Sequence, residues 1–153
     1  MLISDIDEMK AMHESAVVDS GFVATCGRMH DLNTLPGFAA LTDEGILGTV
    51  FYLIENQECE IVSLESRKEN LGVGSALVQR VVDHARTANC RRVWLVTTNE
   101  NLRAIRFYQR RGFEMKALHR NAVEAARKLK PSIPFTSEDG IPIKHEIEFE
   151  MLL

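Results

Sequence analysis

The pattern of apolar and polar positions changes character about halfway along the chain. Near the start, Ile6, Met9, Met12 or His13, and Ala16 follow helical spacing. Ser4 stands where an N-cap belongs and acidic residues fill the first turn, so the pattern predicts a helix over residues 4–17. A short apolar run at 21–26 reads as a strand. Three more strands are predicted at 38–42, 46–54 and 58–64, with Asp43-Glu44-Gly45 and Glu55-Asn56-Gln57 between them, the mark of an antiparallel meander. Beyond it strands and helices alternate. A helix at 72–89 carries Leu77, Val81, Val82 and Ala85 on one face, and a strand at 92–98 runs through Val-Trp-Leu-Val. A second helix at 101–111 stops at Gly112, where glycine fits a left-handed C-cap. A strand at 113–119 and a short helix at 121–129 follow, and then a loop marked by Pro131, Pro134 and Pro142. Residues 144–152 end as an alternating strand, with Ile147, Phe149 and Met151 on one face and Glu146, Glu148 and Glu150 on the other. The expectation is one mixed α/β domain over 1–153, antiparallel in front with a parallel crossover behind.

Composition narrows the class. A chain of 153 residues, 45% hydrophobic and 26% charged, suits one domain with a core of its own. The longest apolar stretch, 46–54, is too short to span a membrane and is interrupted by Gly48 and Thr49. The start turns acidic at Asp5, Asp7 and Glu8, unlike a signal peptide, so a cytoplasmic protein is expected. Cys26, Cys59 and Cys90 are odd in number and widely spaced, which suits reduced thiols, with Cys59 a small core residue. His13, His84, His119 and His145 lack ligand spacing, so no metal is expected. Charge is blocked: residues 1–66 hold 2 basic and 12 acidic side chains, 67–130 hold 15 and 5, and 131–153 hold 1 and 5. The basic centre is either a face that meets an anion or the solvent faces of two helices.

The sequence Gly72-Val73-Gly74 joins a predicted strand to a predicted helix, which is the local chemistry of a phosphate site. Glycine lets the backbone approach a ligand, and the free amides of the first turn point at it. Two well-known phosphate loops fail the test. A dinucleotide fingerprint needs Gly or Ala where Leu77 stands, and an acid closing the next strand, where Thr97 and Thr98 stand. A P-loop needs Lys and then Ser or Thr after its second glycine, but Ser75 and Ala76 follow Gly74. The turn serves a different phosphate ligand, or none.

A second constellation opens the next helix: Asn101-x-x-Ala104-x-x-x-Tyr108-x-x-x-Gly112-Phe113. Together with the upstream turn it resembles the GNAT superfamily of acyl-CoA-dependent N-acyltransferases. The resemblance runs over roughly 38–118 in element order, with its motif residues in 69–113. It implies a mixed, mostly antiparallel sheet with a splayed parallel strand pair, flanked by helices. It also implies acetyl-CoA as acyl donor, with no metal. The amides of Asn70, Leu71, Gly72, Val73, Gly74 and Ser75 would bind the coenzyme's pyrophosphate. Main-chain groups of Val62, Ser63 and Leu64 would pair with the pantetheine arm as if it were an added strand. Asn101 would hydrogen-bond the same arm, with Asn99 beside it and Ala104 in the same motif lining the coenzyme. Tyr108 would sit near the sulfur and protonate the departing thiolate, a sensible transfer because phenol and alkyl thiol have comparable pKa values. Three features depart from the family pattern. Glu69 replaces the usual Gln or Arg, between Lys68 and Asn70. The usual first strand is reduced to Leu2-Ile3. Residues 121–143 lengthen the connection before the last strand and suggest a shaped acceptor pocket.

The implied reaction is direct attack of an amine on the thioester, with the oxyanion held by a backbone amide near Leu64. Glu60 is the candidate general base, with Glu65 on the same strand and a water relay as competitor. Strand alternation puts the two carboxylates on opposite faces unless a bulge intervenes. Arg28, His30 and Asp31 form a polar loop cluster that either contacts the acceptor or is simply surface. The acceptor is a small-molecule amine, a peptide terminus or a protein lysine. Arg127, Lys128 and Lys130 hint at an acidic acceptor, or mark an exposed helix face. The family allows a homodimer; neither a membrane nor a nucleic-acid partner is expected. Two rival classes remain: a non-catalytic acyl-CoA sensor, and a nucleic-acid binder using the basic block. The acidic front half and the lack of a reading motif weigh against the second.

Overall fold

A computed structural model describes residues 1–12, 21–67 and 72–153. In chain order they form β1 (Leu2–Asp5), α1 (Ile6–Met12), β2 (Phe22–Thr25), β3 (Arg28–Asp31), a 3-10 turn (Leu32–Thr34), β4 (Gly37–Thr42), β5 (Gly45–Glu55) and β6 (Glu58–Ser66). Then come α2 (Val73–Thr87), β7 (Arg92–Thr98), α3 (Leu102–Arg110), β8 (Glu114–His119), α4 (Val123–Leu129) and β9 (Glu146–Leu152). Seven strands pair in the order β1-β4-β5-β6-β7-β9-β8, while β2 and β3 pair separately. The sheet is mostly antiparallel and holds one parallel pair, β6 and β7, joined through α2. No described helix is long and apolar enough to cross a membrane.

The chain divides into two compact units. The first draws on Met1–Gly21, Asp31–Val93 and Leu153. The chain's start is a strand of four residues, longer than Leu2-Ile3, with Leu2 opposite Leu41 and Asp5 opposite Phe38. Ser4 is therefore a strand residue and not the helix cap. Asp5 caps α1 instead: its Oδ1 accepts from the backbone N–H groups of Asp7 (2.8 Å) and Glu8 (3.3 Å). The rest of the predicted first helix, 13–17, lies outside the described residues. On one face of the meander, α2 buries Val73, Leu77, Val78, Val81, Val82 and Ala85. Gly48 of β5 makes room for it: a Cβ there would sit 2.9 Å from Val73 Cγ1 and 2.6 Å from the Glu65 carbonyl. On the other face, Ile6 of α1 and Phe51 close over Gly37, where a Cβ would meet them at 3.0 and 3.1 Å.

The second unit draws on Phe22–His30 and Trp94–Leu152. In it, β8 and β9 pair antiparallel, from Glu114 opposite Glu150 to His119 opposite Glu146, and Lys116 is bulged out between Met115 and Ala117. β2 and β3 meet in a tight turn at Cys26 (φ 52°) and Gly27 (φ 70°). Two consecutive positive φ angles are what a two-residue hairpin requires. The polar segment read as a loop cluster is thus partly a strand, and His30 is buried at 4% exposure. Asp31 is occupied locally, accepting from Asn33 N–H at 3.0 Å to cap the 3-10 turn.

Candidate active site

In the first unit, the candidate coenzyme residues follow one another along β6 and into α2. The β5–β6 register slips at one point: Phe51 lies opposite Ser63 and Tyr52 opposite Ile61, so Val62 is the extra, bulged residue. The bulge settles the parity question. Glu60 pairs with Leu53 and Glu65 with Thr49, four residues apart on β5, so both carboxylates lie on the same face. They differ in burial: Glu60 is 7% exposed, whereas Glu65 is exposed. Val62 is buried, and Ser63 and Leu64 are half-buried. Cys59 is fully buried on the α2 face, where burial raises its thiol to about 12, as befits a core residue.

Asn70, Leu71, Lys68 and Glu69 lie outside the described residues. Gly72 is the N-cap residue of α2, in the left-handed region at φ 74°, a conformation only glycine adopts without strain. As a glycine it contributes no side-chain cap of its own. The first helical bond runs from Ala76 N–H to the Gly72 carbonyl (3.0 Å), so the amides of Val73, Gly74 and Ser75 precede the intrahelical ladder. Such amides, at the positive end of a 15-residue helix, suit an anion.

In the second unit, β7 ends in two asparagines with different tasks. Asn99 ties down a loop: its Oδ1 accepts from Lys144 N–H and His145 N–H, both at 2.9 Å. Its Nδ2 donates to the Pro142 carbonyl (2.9 Å) and its backbone N–H to that of His145 (3.0 Å). Asn101 caps α3, its Oδ1 accepting from Ala104 N–H at 3.2 Å, and this leaves the Nδ2 group able to donate elsewhere. Tyr108 is the only buried residue of α3, at 6% exposure. Its ring is boxed by Phe107 (centroids 5.0 Å), Phe113 (5.4 Å) and Phe149 (6.4 Å). Burial raises the phenol well above its usual value, with Arg111 opposing weakly. The hydroxyl has no hydrogen-bond partner among the described residues, so it is a neutral, uncommitted proton donor.

Sequence reasoning missed Glu146, which is 3% exposed. Both of its oxygens face the Cys26 N–H, at 3.3 and 3.4 Å, anchoring the β2–β3 turn. In the sequence it is one of three alternating glutamates, and only its pairing with the Cys26-Gly27 turn sets it apart. Burial raises its carboxyl above the usual range, opposed by the Cys26 amide and by His119. The folded state therefore keeps this proton to higher pH than the unfolded chain does. Stability is then lost as pH rises from the ordinary carboxylate value through the raised one. Glu146→Gln keeps an acceptor for Cys26 but does not titrate. Its unfolding midpoint is expected to gain on that of the wild type as pH rises above the ordinary carboxylate value of about 4. A midpoint difference that stays flat over that rise would show that Glu146 titrates normally.

A family model described as "Acetyltransferase (GNAT) family" matches residues 7–113. The chain belongs to the GNAT acetyltransferase family. This GNAT chain is 49% identical over 120 residues to the uncharacterized protein YdhI of Bacillus subtilis, covering 78% of this chain and 75% of YdhI. Among solved structures it is similar to a Bacillus subtilis acetyltransferase in complex with CoA (TM-score 0.68, 20% identity, 80% and 79% of the two chains). It is also similar to a GNAT acetyltransferase of Elizabethkingia anophelis with acetyl-CoA bound (0.69, 21%, 80% and 78%). The membership makes this GNAT chain an acyltransferase. Both structural likenesses are to the same fold. Among the described residues, no group of three or more His, Cys, Asp or Glu side chains could hold a metal ion.

Proposed function

We propose that this chain transfers an acetyl group from acetyl-CoA directly to a primary amine. The observation that carries the reading is the Tyr108 hydroxyl: the phenol is buried among aromatic rings, and the hydroxyl has no hydrogen-bond partner among the described residues. The residues present fit the coenzyme. Gly72, in the left-handed conformation, opens a helix whose first-turn amides, at Val73, Gly74 and Ser75, suit a pyrophosphate, with Asn70 and Leu71 just before it in the sequence. The bulge at Val62 interrupts the ladder where main-chain groups of Val62, Ser63 and Leu64 are assigned to the pantetheine arm. Asn101 offers its Nδ2 group to the same arm, and Ala104 sits one turn on. Asn99 acts from behind by holding the 142–145 segment in place.

The coenzyme supplies an acetyl thioester, activated for attack by an amine. The chain supplies the rest. An amide near Leu64 meets the negative charge that develops on the carbonyl oxygen. Glu60, buried on β6, takes the proton of the amine, directly or through water, and Tyr108 gives one to sulfur. The protein works in the cytoplasm, as its three unbridged cysteines suit. Thermal unfolding tests the coenzyme site. At 100 times the dissociation constant, acetyl-CoA or free CoA is expected to add about 2.7 kcal/mol, read as a raised midpoint. No shift at millimolar coenzyme would mean that Glu69 spoils the pyrophosphate cradle and that this is no acetyl-CoA enzyme.

A further inference from the structure

The connection between β8 and β9 is built around one arginine. Arg127 Nε donates to the Ile133 carbonyl (3.2 Å), and one terminal nitrogen donates to those of Pro134 (2.9 Å) and Ile143 (3.0 Å). The same guanidinium stacks 4.2 Å from the centre of the Phe135 ring. Backbone bonds from Ile143 to Phe135 (2.9 Å) and from Ser137 to Ile141 (2.9 Å) close the loop on itself. Phe135 is nonetheless 74% exposed. One face of its ring is thus held by a cation that is itself fixed, and the other is available.

Beside this ring lies an open cavity of about 440 Å³, lined also by Asn121, Lys128, Ile143 and Lys144. Lys128 and Lys144 are exposed and have no ion-pair partner among the described residues. With Arg127 they set three cations against one acid on the lining, Glu124. The volume is that of a small-molecule site. The cavity wall at Lys144 is the segment that Asn99 fastens to the end of β7, two residues before Asn101. Lys144 of the cavity wall and Asn101, the residue assigned to the pantetheine arm, are thus both tied to the end of β7.

We propose that the cavity seats the acceptor, and that the acceptor is an aliphatic primary amine carrying both an aromatic ring and a carboxylate, of the size and kind of an aromatic amino acid. The assignment rests on the acetyl-transfer reading above. Its planar group stacks on the open face of Phe135, and its carboxylate meets Lys128 and Lys144. In the transfer the amine nitrogen bonds to the acetyl carbon and the carbon–sulfur bond breaks. The neutral amine gives up one proton, and the departing thiolate takes one.

The test uses the whole protein with acetyl-CoA, following thiol release and product mass. Phenylalanine and tryptophan are compared with phenethylamine and tryptamine, which lack the carboxylate, and with leucine, which lacks the ring. The aromatic amino acids are expected to exceed each comparison set in kcat/KM by about fivefold or more, the scale of one exposed ion pair or one ring stack. Lys144→Glu should raise KM for phenylalanine and narrow its lead over phenethylamine. Phe135→Ala should narrow its lead over leucine. Both side chains are exposed, so both variants should fold, and their coenzyme-induced midpoint shift checks this. Equal or faster turnover of the amines without carboxylate overturns the acceptor class while leaving acetyl transfer standing. Coenzyme binding without acetylation of either aromatic amino acid does the same. Absence of any coenzyme-induced shift in the wild type brings down the transfer reading, and this assignment with it.

Discussion

Replacing Tyr108 with phenylalanine is expected to lower kcat by about 10²- to 10⁴-fold, the usual worth of a positioned general acid. Stability should hardly change. The hydroxyl has no partner among the described residues, so its removal breaks no hydrogen bond, and the ring keeps its contacts with Phe107, Phe113 and Phe149. This separation makes the substitution informative. A side chain buried only for packing would show the opposite signature, with unchanged turnover. The midpoint shift caused by acetyl-CoA should survive, because the amides of the glycine turn are untouched. Turnover within twofold of wild type would remove Tyr108 from the chemistry and leave a coenzyme-binding module as the better description.

The largest loss of stability is expected from Phe149→Ala. Phe149 is fully buried on β9, opposite Met115 of β8, with its ring 6.4 Å from that of Tyr108. Removing a buried phenyl forfeits its transfer free energy and leaves a cavity that the strand pair cannot close, a cost of about 3–5 kcal/mol. For a chain of this size that is about 10 °C or more in the unfolding midpoint. Urea titration should show the midpoint falling with an unchanged slope. The cavity also opens beside Tyr108, so residual activity should drop as the phenol loses a wall. Phe149→Leu refills much of the space and should recover most of the stability. A loss below about 1 kcal/mol for the alanine variant would mean the unit repacks freely around the site.

Much of the architecture was legible because it depends on local signals. The meander strands lie between turn residues, and the face of α2 that packs is the one its spacing marks: Leu77, Val81, Val82 and Ala85 are all buried. Gly112 ends α3 with φ 90°, as a glycine C-cap should. What the sequence hid depends on partners far along the chain. Arg28–Asp31 looks like a polar loop, yet it becomes a strand because the Cys26-Gly27 turn folds it back on β2. Ser4 and Asp5 are both good caps and both lie in the ladder with β4, so the choice falls to Asp5 because it is the strand residue directly before Ile6, within reach of the Asp7 and Glu8 amides. The bulge at Val62 has no mark of its own, since Val-Ser-Leu alternates like any strand, so the relative faces of Glu60 and Glu65 could not be read in advance. Among three glutamates of β9 with identical spacing, only Glu146 is fully buried, by virtue of a hairpin 120 residues earlier.

The three cysteines have a practical consequence. Cys59 and Cys90 are buried, and burial raises both thiols, so neither offers much thiolate near neutral pH. Cys26 alone is exposed, at the tip of the β2–β3 turn. The natural chain thus has one place where a maleimide dye or spin label attaches under native conditions. That place is the turn whose amide Glu146 grips, so a reporter there would watch the hairpin without any engineered residue. The same sulfur also sets a fixed background of one equivalent per chain in any colorimetric assay that counts released coenzyme thiol.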